Sequence, residues 1–265
     1  MVLAPFWRMC RLPFGDERRG VRRTEGGVMS TEYLIPSDIS ERYHVREWRN
    51  ATGILVTACK TEWQEILTVL REFRLLRSEI VVGGGNRSLI SRRIDSAFYK
   101  LGWAEKGFAT AISVDSDKYD SPTHAVDCFK AGVALEVEWN NKDPFFDRDL
   151  NNFRLLFELR AIQVGVIITR ATELQDVFKR LKKGQSYGAA TTHHGKLWPK
   201  LEGGGGGGCP VLTFAIRETI YEDDGQDAVD DLKARIAAAK AAKKTKGKGS
   251  LPSEDEDLAD LDDES

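Results

Sequence analysis

Apolar and polar residues alternate along residues 133–140. Val133, Leu135, Val137 and Trp139 are apolar, whereas Ala134, Glu136, Glu138 and Asn140 between them are small or polar. A period of two predicts a strand with one buried face. Glu136 and Glu138 then share the other face, about 7 Å apart along the strand. Residues 124–129 predict a neighbouring strand. Lys130-Ala131-Gly132 offers a tight hairpin that would bring Asp127 back beside the two glutamates. Residues 108–114 read as a further strand, followed by a turn-rich loop at 115–122. The wholly apolar run at 164–168 fits a buried parallel strand. Residues 54–58 fit a short strand and 211–216 a final one.

Helical spacing punctuates these runs. Trp63, Ile66, Leu67, Leu70 and Phe73 mark one helix, and Leu89, Ile90, Ile94, Ala97, Phe98 and Leu101 a second, stopped by Gly102. Leu150, Phe153, Leu156, Phe157 and Ile162 mark a third, preceded by Asp147-Arg148-Asp149. Residues 172–181 mark a fourth. The order is helix, three strands in a meander, crossover helix, strand, which is an α/β arrangement. From about residue 222 the apolar pattern fades. Residues 228–242 fit a lone helix, 243–248 are basic and 254–264 nearly all acidic, which predicts a disordered, solvated tail at 222–265. At the other end Arg8, Arg11, Arg18, Arg19, Arg22 and Arg23 cluster without periodicity or a signal-peptide core. Met29-Ser30-Thr31-Glu32 reads like an ordinary start, so residues 1–28 are expected to be a disordered or mis-annotated extension. A basic arm for DNA is the alternative.

Composition narrows the class. A chain of 265 residues with 41% hydrophobic and 30% charged residues can build one good core. No apolar run approaches the roughly 18–20 residues of a membrane span. Cys10, Cys59, Cys128 and Cys209 are widely spaced, which argues against a zinc site or disulfide scaffold and suggests a reducing cytosol. The net charge of −2 hides an asymmetry: residues 222–265 hold 14 acidic and 7 basic side chains, −7 in all, leaving +5 on residues 1–221. A mildly basic body is compatible with nucleic acid.

The candidate chemistry starts with Asp127, Glu136 and Glu138. Three carboxylates converging on adjacent strands suit a hard divalent cation such as Mg2+. A surface strand with solvated glutamates is the plain alternative. The apolar flanks and the polar run Asn140-Asn141-Lys142-Asp143 at the strand end favour a site. Gly83-Gly84-Gly85-Asn86-Arg87-Ser88 either cradles a phosphate at a helix N-terminus or is a flexible connection capped by Asn86 or Ser88. Asp95, on the following helix, is a candidate outer metal partner. His193 and His194 lack a third ligand at metal spacing and fit a polar loop contacting phosphate or base edges. The six glycines from Gly203 to Gly208 are either a linker or a close approach to a ligand.

Asp127, eight residues, then Glu136-Val137-Glu138 resembles the PD-(D/E)XK nuclease superfamily, a mixed central sheet flanked by helices. Residues 133–143, Thr192-His193-His194-Gly195-Lys196-Leu197 and Gly206-Gly207-Gly208-Cys209-Pro210-Val211-Leu212 are similar to segments of the BglII-type restriction endonucleases. The resemblance covers about residues 29–221. It implies a Mg2+-dependent type II endonuclease that hydrolyses double-stranded DNA at a short palindrome, as a homodimer in a prokaryotic cytoplasm, beside a methyltransferase acting on the same site. Asp127 and Glu136 would be metal ligands. Glu138 stands where most of the superfamily has lysine, so it would orient or deprotonate the attacking water or help hold a second metal. Lys142 is a candidate for the missing positive charge. Arg87, Asn140, Asn141, Thr192, His193, His194 and Lys196 are candidates for DNA contact. The rival readings are a repair or structure-specific nuclease of this fold, an inactive DNA-binding module, and a metabolic α/β protein with surface acids.

Overall fold

The computed structural model describes residues 30–83, 88–120 and 123–246. After a short 3-10 turn come α1 (Ser37–Arg42), β1 (Tyr43–Trp48), α2 (Ala51–Ala58), α3 (Lys60–Glu72), β2 (Leu75–Leu76), α4 (Arg77–Val82) and α5 (Leu89–Lys100). There follow β3 (Ala104–Lys106), β4 (Ala111–Val114), β5 (Asp117–Asp120), β6 (Val126–Lys130), β7 (Val133–Glu138) and α6 (Pro144–Glu158). The chain continues through β8 (Val164–Arg170), α7 (Leu174–Arg180), α8 (His194–Glu202), β9 (Val211–Ile216), β10 (Tyr221–Glu222) and α9 (Gly225–Lys246).

Six strands form one mixed sheet in the order β1-β9-β8-β7-β6-β3. β7, β8 and β9 run parallel, while β3, β6 and β1 pair antiparallel to their neighbours. The β6–β7 hairpin closes through Ala131 and Gly132, at φ 43° and 85°. Positive φ at both central residues is the two-residue turn whose twist matches the strands, and glycine tolerates it without a Cβ penalty.

Alternation sorts the side chains of β7 to two cores. Val133, Leu135, Val137 and Trp139 join α3 and α5 residues such as Ile66, Leu70, Ile94 and Phe98. Ala134 joins Phe146, Leu150 and Phe153 of α6 and Leu197 and Leu201 of α8. α6 packs so closely on the sheet that a Cβ at Gly165 of β8 would lie 2.3 Å from the Phe153 ring. Both faces of β7 are therefore covered, and Glu136 and Glu138 are each only 1% exposed. That removes the surface-strand reading.

The mixed α/β fold with its helix-flanked central sheet agrees with the restriction-endonuclease-like expectation; several elements differ. Residues 54–58 belong to helix α2, because a short apolar run has no period of its own and the helix turns its apolar side inward. The third strand of the meander is β3, not residues 108–114. β4 instead pairs with β5, inside the stretch read as a loop, in a separate two-stranded ribbon. Asp147, Arg148 and Asp149 lie inside α6, which starts at Pro144 as proline at a first helical turn allows. His194 opens helix α8 rather than lying in a loop. Gly205 to Gly208 pack against α6: a Cβ at Gly207 would stand 2.7 Å from the Arg154 side chain, and the Gly207 carbonyl accepts from Trp48 Nε1 at 3.3 Å. The segment expected to be a tail begins with α9, held by Asp224, which accepts from the Ser78 amide at 2.9 Å, and by fully buried Val229. Residues 1–29 and 247–265, the expected extension and the rest of the tail, lie outside the described residues. Among those described, no helix is long and apolar enough to cross a membrane.

Candidate active site

The hairpin brings Asp127 on β6 against the C-terminal half of β7. Asp127 Oδ2 accepts from the Val137 amide at 3.1 Å, and the Asp127 amide reaches Glu136 Oε2 at 3.4 Å. Alternation on β7 then sends Glu136 and Glu138 to the α6 side. There they meet Asp149, which is fully buried on α6.

Burial is the main force on all three carboxyls, because a charged carboxylate loses its water there. Glu136 is held well above the usual carboxylate range by burial, then by the charges of Asp127 and Asp149. Glu138 is pushed up to about 9 by burial and by Asp149 beside it, and Asp149 is also raised by burial. Arg148 offsets part of this repulsion. Its Nη2 lies 3.3 Å from Glu138 Oε1 and 2.7 Å from Asp149 Oδ1, and its guanidinium stacks 4.4 Å from the Phe145 ring centre. Asn141 Nδ2 donates to the other oxygen of Glu138 at 2.7 Å.

One buried carboxylate oxygen at the site, Glu136 Oε1, lacks a donor, while Asp149 shares a hydrogen bond with the protonated Glu138. Oxygen-only donors crowded together, raised toward neutrality and left short of positive charge are suited to a hard divalent cation. Among the described residues no three His, Cys, Asp or Glu side chains already surround one point as a cage, so the convergence of three carboxylates expected from the hairpin is looser than a finished metal site.

A cavity of about 520 Å³ opens at this end of β7, lined by Asp127, Glu138, Asn140, Asn141, Arg148 and Lys183 among others. Sequence reasoning missed Arg148, Asp149 and Lys183. The signal for Asp149 was present: it falls on the stripe of Phe146, Leu150 and Phe153, where a charge is out of place on an apolar helix face.

The other expected site residues divide. Asn140 and Asn141 are at the site, Asn140 Nδ2 donating to the Ser186 carbonyl at 3.1 Å. Lys142 does not reach the glutamates. The strand ends at Glu138, so its alternation does not carry that far; Lys142 is exposed and bridges to Thr191, and Arg148 holds the place beside Glu138. Asp95 is buried on α5 and accepts from the Cys128 thiol at 3.7 Å, on the opposite face of the sheet from Glu136. Thr192 is fully buried; its amide donates to the Asn141 carbonyl at 2.9 Å and its hydroxyl accepts from the Asn141 amide at 3.2 Å, a structural role. His194 packs 4.4 Å from the Trp198 ring and accepts from the Thr172 amide at 3.1 Å; burial pulls its pKa down to about 4, so it is neutral. His193 at the α8 N-cap is also lowered by burial, and Lys196 lies half-buried in the first turn of α8. Arg87 lies outside the described residues.

No individual curated protein matches the sequence. The family model of the restriction endonucleases BglII/BglIII matches residues 43–216, which runs from the first residue of β1 to the last of β9 and spans the whole central sheet and the carboxylate cluster. The chain belongs to the BglII/BglIII restriction endonuclease family.

Proposed function

We infer that this protein is a type II restriction endonuclease that hydrolyses double-stranded DNA at a short palindrome, with Mg2+ held by Asp127 and Glu136. The observation that carries the reading is the group of buried carboxyls beside an open cavity: Asp127 and Glu138 line it together with Arg148 and Lys183, and Glu136, with one oxygen unpaired, lies between them on β7. Mg2+ there would stabilise the negative charge that develops on the phosphoryl and leaving oxygens and would lower the pKa of a bound water.

The chain's own groups have separable tasks. Asp127 and Glu136 supply oxygen ligands, positioned by the hairpin. Glu138 borders the cavity, where it orients the attacking water and takes its proton once positive charge has driven off the proton that burial retains. Arg148 holds Glu138 and Asp149 in place and brings a permanent cation to a site that lacks the usual lysine. Lys183 at the cavity wall faces an incoming phosphate. Asn140 and Asn141 are the best-placed groups for base edges, with His193 and Lys196 further along the same end of the sheet. A palindromic site calls for a two-fold dimer. The enzyme would act in a prokaryotic cytoplasm, beside a methyltransferase that modifies the same sequence.

A plasmid digest tests this. The wild type should give discrete fragments with Mg2+ and none with EDTA, and Glu136→Ala should give none in either. Mapped fragment ends should fall at one palindromic sequence. Cleavage that persists in EDTA, or in Glu136→Ala, would overturn the assignment. A gel shift without cleavage would favour an inactive DNA-binding module.

A further inference from the structure

Arg170 closes β8 and is 1% exposed, yet no carboxylate faces it among the described residues. Its Nη2 donates to the Gly188 carbonyl at 3.1 Å and to the Thr191 hydroxyl at 3.0 Å. The guanidinium lies 5.4 Å from the Phe178 ring centre, and its Nε is buried without a partner. A buried cation without a counter-ion is unfavourable, and an apolar residue of similar volume would fill the same space without that penalty. The Gly188 carbonyl also accepts from the Thr191 amide and hydroxyl within the loop that follows α7; what an apolar residue cannot do is tie that loop to the end of β8 by hydrogen bonds.

That loop leads to the catalytic carboxyl. The Ser186 carbonyl accepts from Asn140, and Thr192 and Asn141 exchange two hydrogen bonds. Asn141 Nδ2 then holds Glu138 Oε2. A continuous path of contacts therefore runs from the end of β8, through residues 186–192, to the carboxyl at the end of β7. Ser186 and Tyr187 also form part of the cavity wall.

We propose that Arg170 is a positioning residue: through the loop at 186–192 it fixes Asn140 and Asn141, and through Asn141 it fixes the Glu138 carboxyl for the reaction. The catalytic half of this rests on the nuclease reading. The loop-holding half does not.

Three variants of the full chain test it: Arg170→Met, which removes both hydrogen bonds from Nη2; Arg170→Lys, which keeps the charge and N–H donors on a shorter, non-planar group; and Thr191→Val, which removes the hydroxyl that accepts from Arg170 and donates to Gly188. The first readout is hydrogen exchange at the Thr191 and Thr192 amides, which bond to Gly188 and Asn141. In Arg170→Met these amides should exchange at least about tenfold faster, while core amides of β8 keep their protection. The second readout is steady-state cleavage. kcat should fall about tenfold to a hundredfold with KM within about threefold, because the loss is of alignment and not of DNA affinity. Arg170→Lys should fall between wild type and Arg170→Met. A merely structural role would lower the melting temperature and leave kcat of the folded protein unchanged.

Wild-type exchange in a folded Arg170→Lys or Arg170→Met protein overturns the proposal. So does faster exchange with unchanged kcat. If both Arg170 variants fail to fold, Thr191→Val decides on the same two readouts. A wild type that never cleaves sinks the nuclease reading, and with it the catalytic half, while the exchange data still decide whether Arg170 holds the loop.

Discussion

Glu136, Glu138 and Asp149 are each buried, and each retains its proton above the usual carboxylate range. In the metal-free protein this couples stability to pH with a definite sign. The folded state binds more protons than the unfolded state between the unfolded values near 4 and the raised folded values, so the stability these groups contribute is full below the unfolded values. It is lost as pH rises through the folded values, which for Glu138 is about 9. Urea unfolding in EDTA should therefore show stability falling from about pH 5 to about pH 9, by up to about 1.4 kcal/mol per pH unit for each retained proton. Glu138→Gln should flatten that slope. A stability that is level or rising over this interval would contradict the buried-carboxyl account. At this scale much was legible. Asp127, Glu136 and Glu138 announce themselves by alternation and by a two-residue turn that glycine permits. Arg148 did not, because its role depends on where α6 begins. A helix that starts at Pro144, well ahead of the expected Leu150, carries the 147–149 segment from an approach loop onto the face over β7.

Elements place these residues, and α6 does most of the placing. It is anchored where Phe153 presses on Gly165 of β8, a position with no room for a Cβ. Gly165→Ala should destabilise the protein by about 1–3 kcal/mol through overpacking, read from the urea midpoint. It should also reduce cleavage, because shifting α6 moves Arg148 and Asp149 off Glu138. A Gly165→Ala protein with unchanged midpoint would show that α6 has slack against the sheet. The sequence made the long amphipathic helices and the buried parallel strand plain, since their periods extend over several turns or a full strand. It was ambiguous for residues 54–58, where four apolar residues and Thr57 fit helix or strand equally. It was also ambiguous around His193 and His194: His194 packs against Trp198 with its pKa pulled down to about 4 by burial, although its type suggests a polar loop.

Across the whole molecule, the sheet gathers the C-terminal ends of β7, β8 and β9 on one edge, and the cavity opens there beside Arg148 and Lys183. The overall α/β class followed from the order of elements. The meander's third strand did not, because β3 is three exposed residues with Ala104 as the one apolar member, whereas the more apolar residues nearby went to the β4–β5 ribbon. Docking of α9 was likewise hidden: a helix of Ala, Lys and Asp shows almost no apolar stripe, and its attachment rests on Val229 and on Asp224 just ahead of it.

If the carboxyls beside the cavity form a divalent-cation site, Mg2+ will stabilise the fold, and thermal unfolding at neutral pH reads this without requiring cleavage. Wild type and Glu136→Gln would be melted in EDTA and in millimolar Mg2+. A cation that binds only the folded state raises its melting temperature. A cation site gives a Mg2+-dependent rise for the wild type and none for Glu136→Gln, and in EDTA the variant melts no lower than wild type, since it removes a buried acid. An equal Mg2+ response in both proteins, or none in either, would contradict that site.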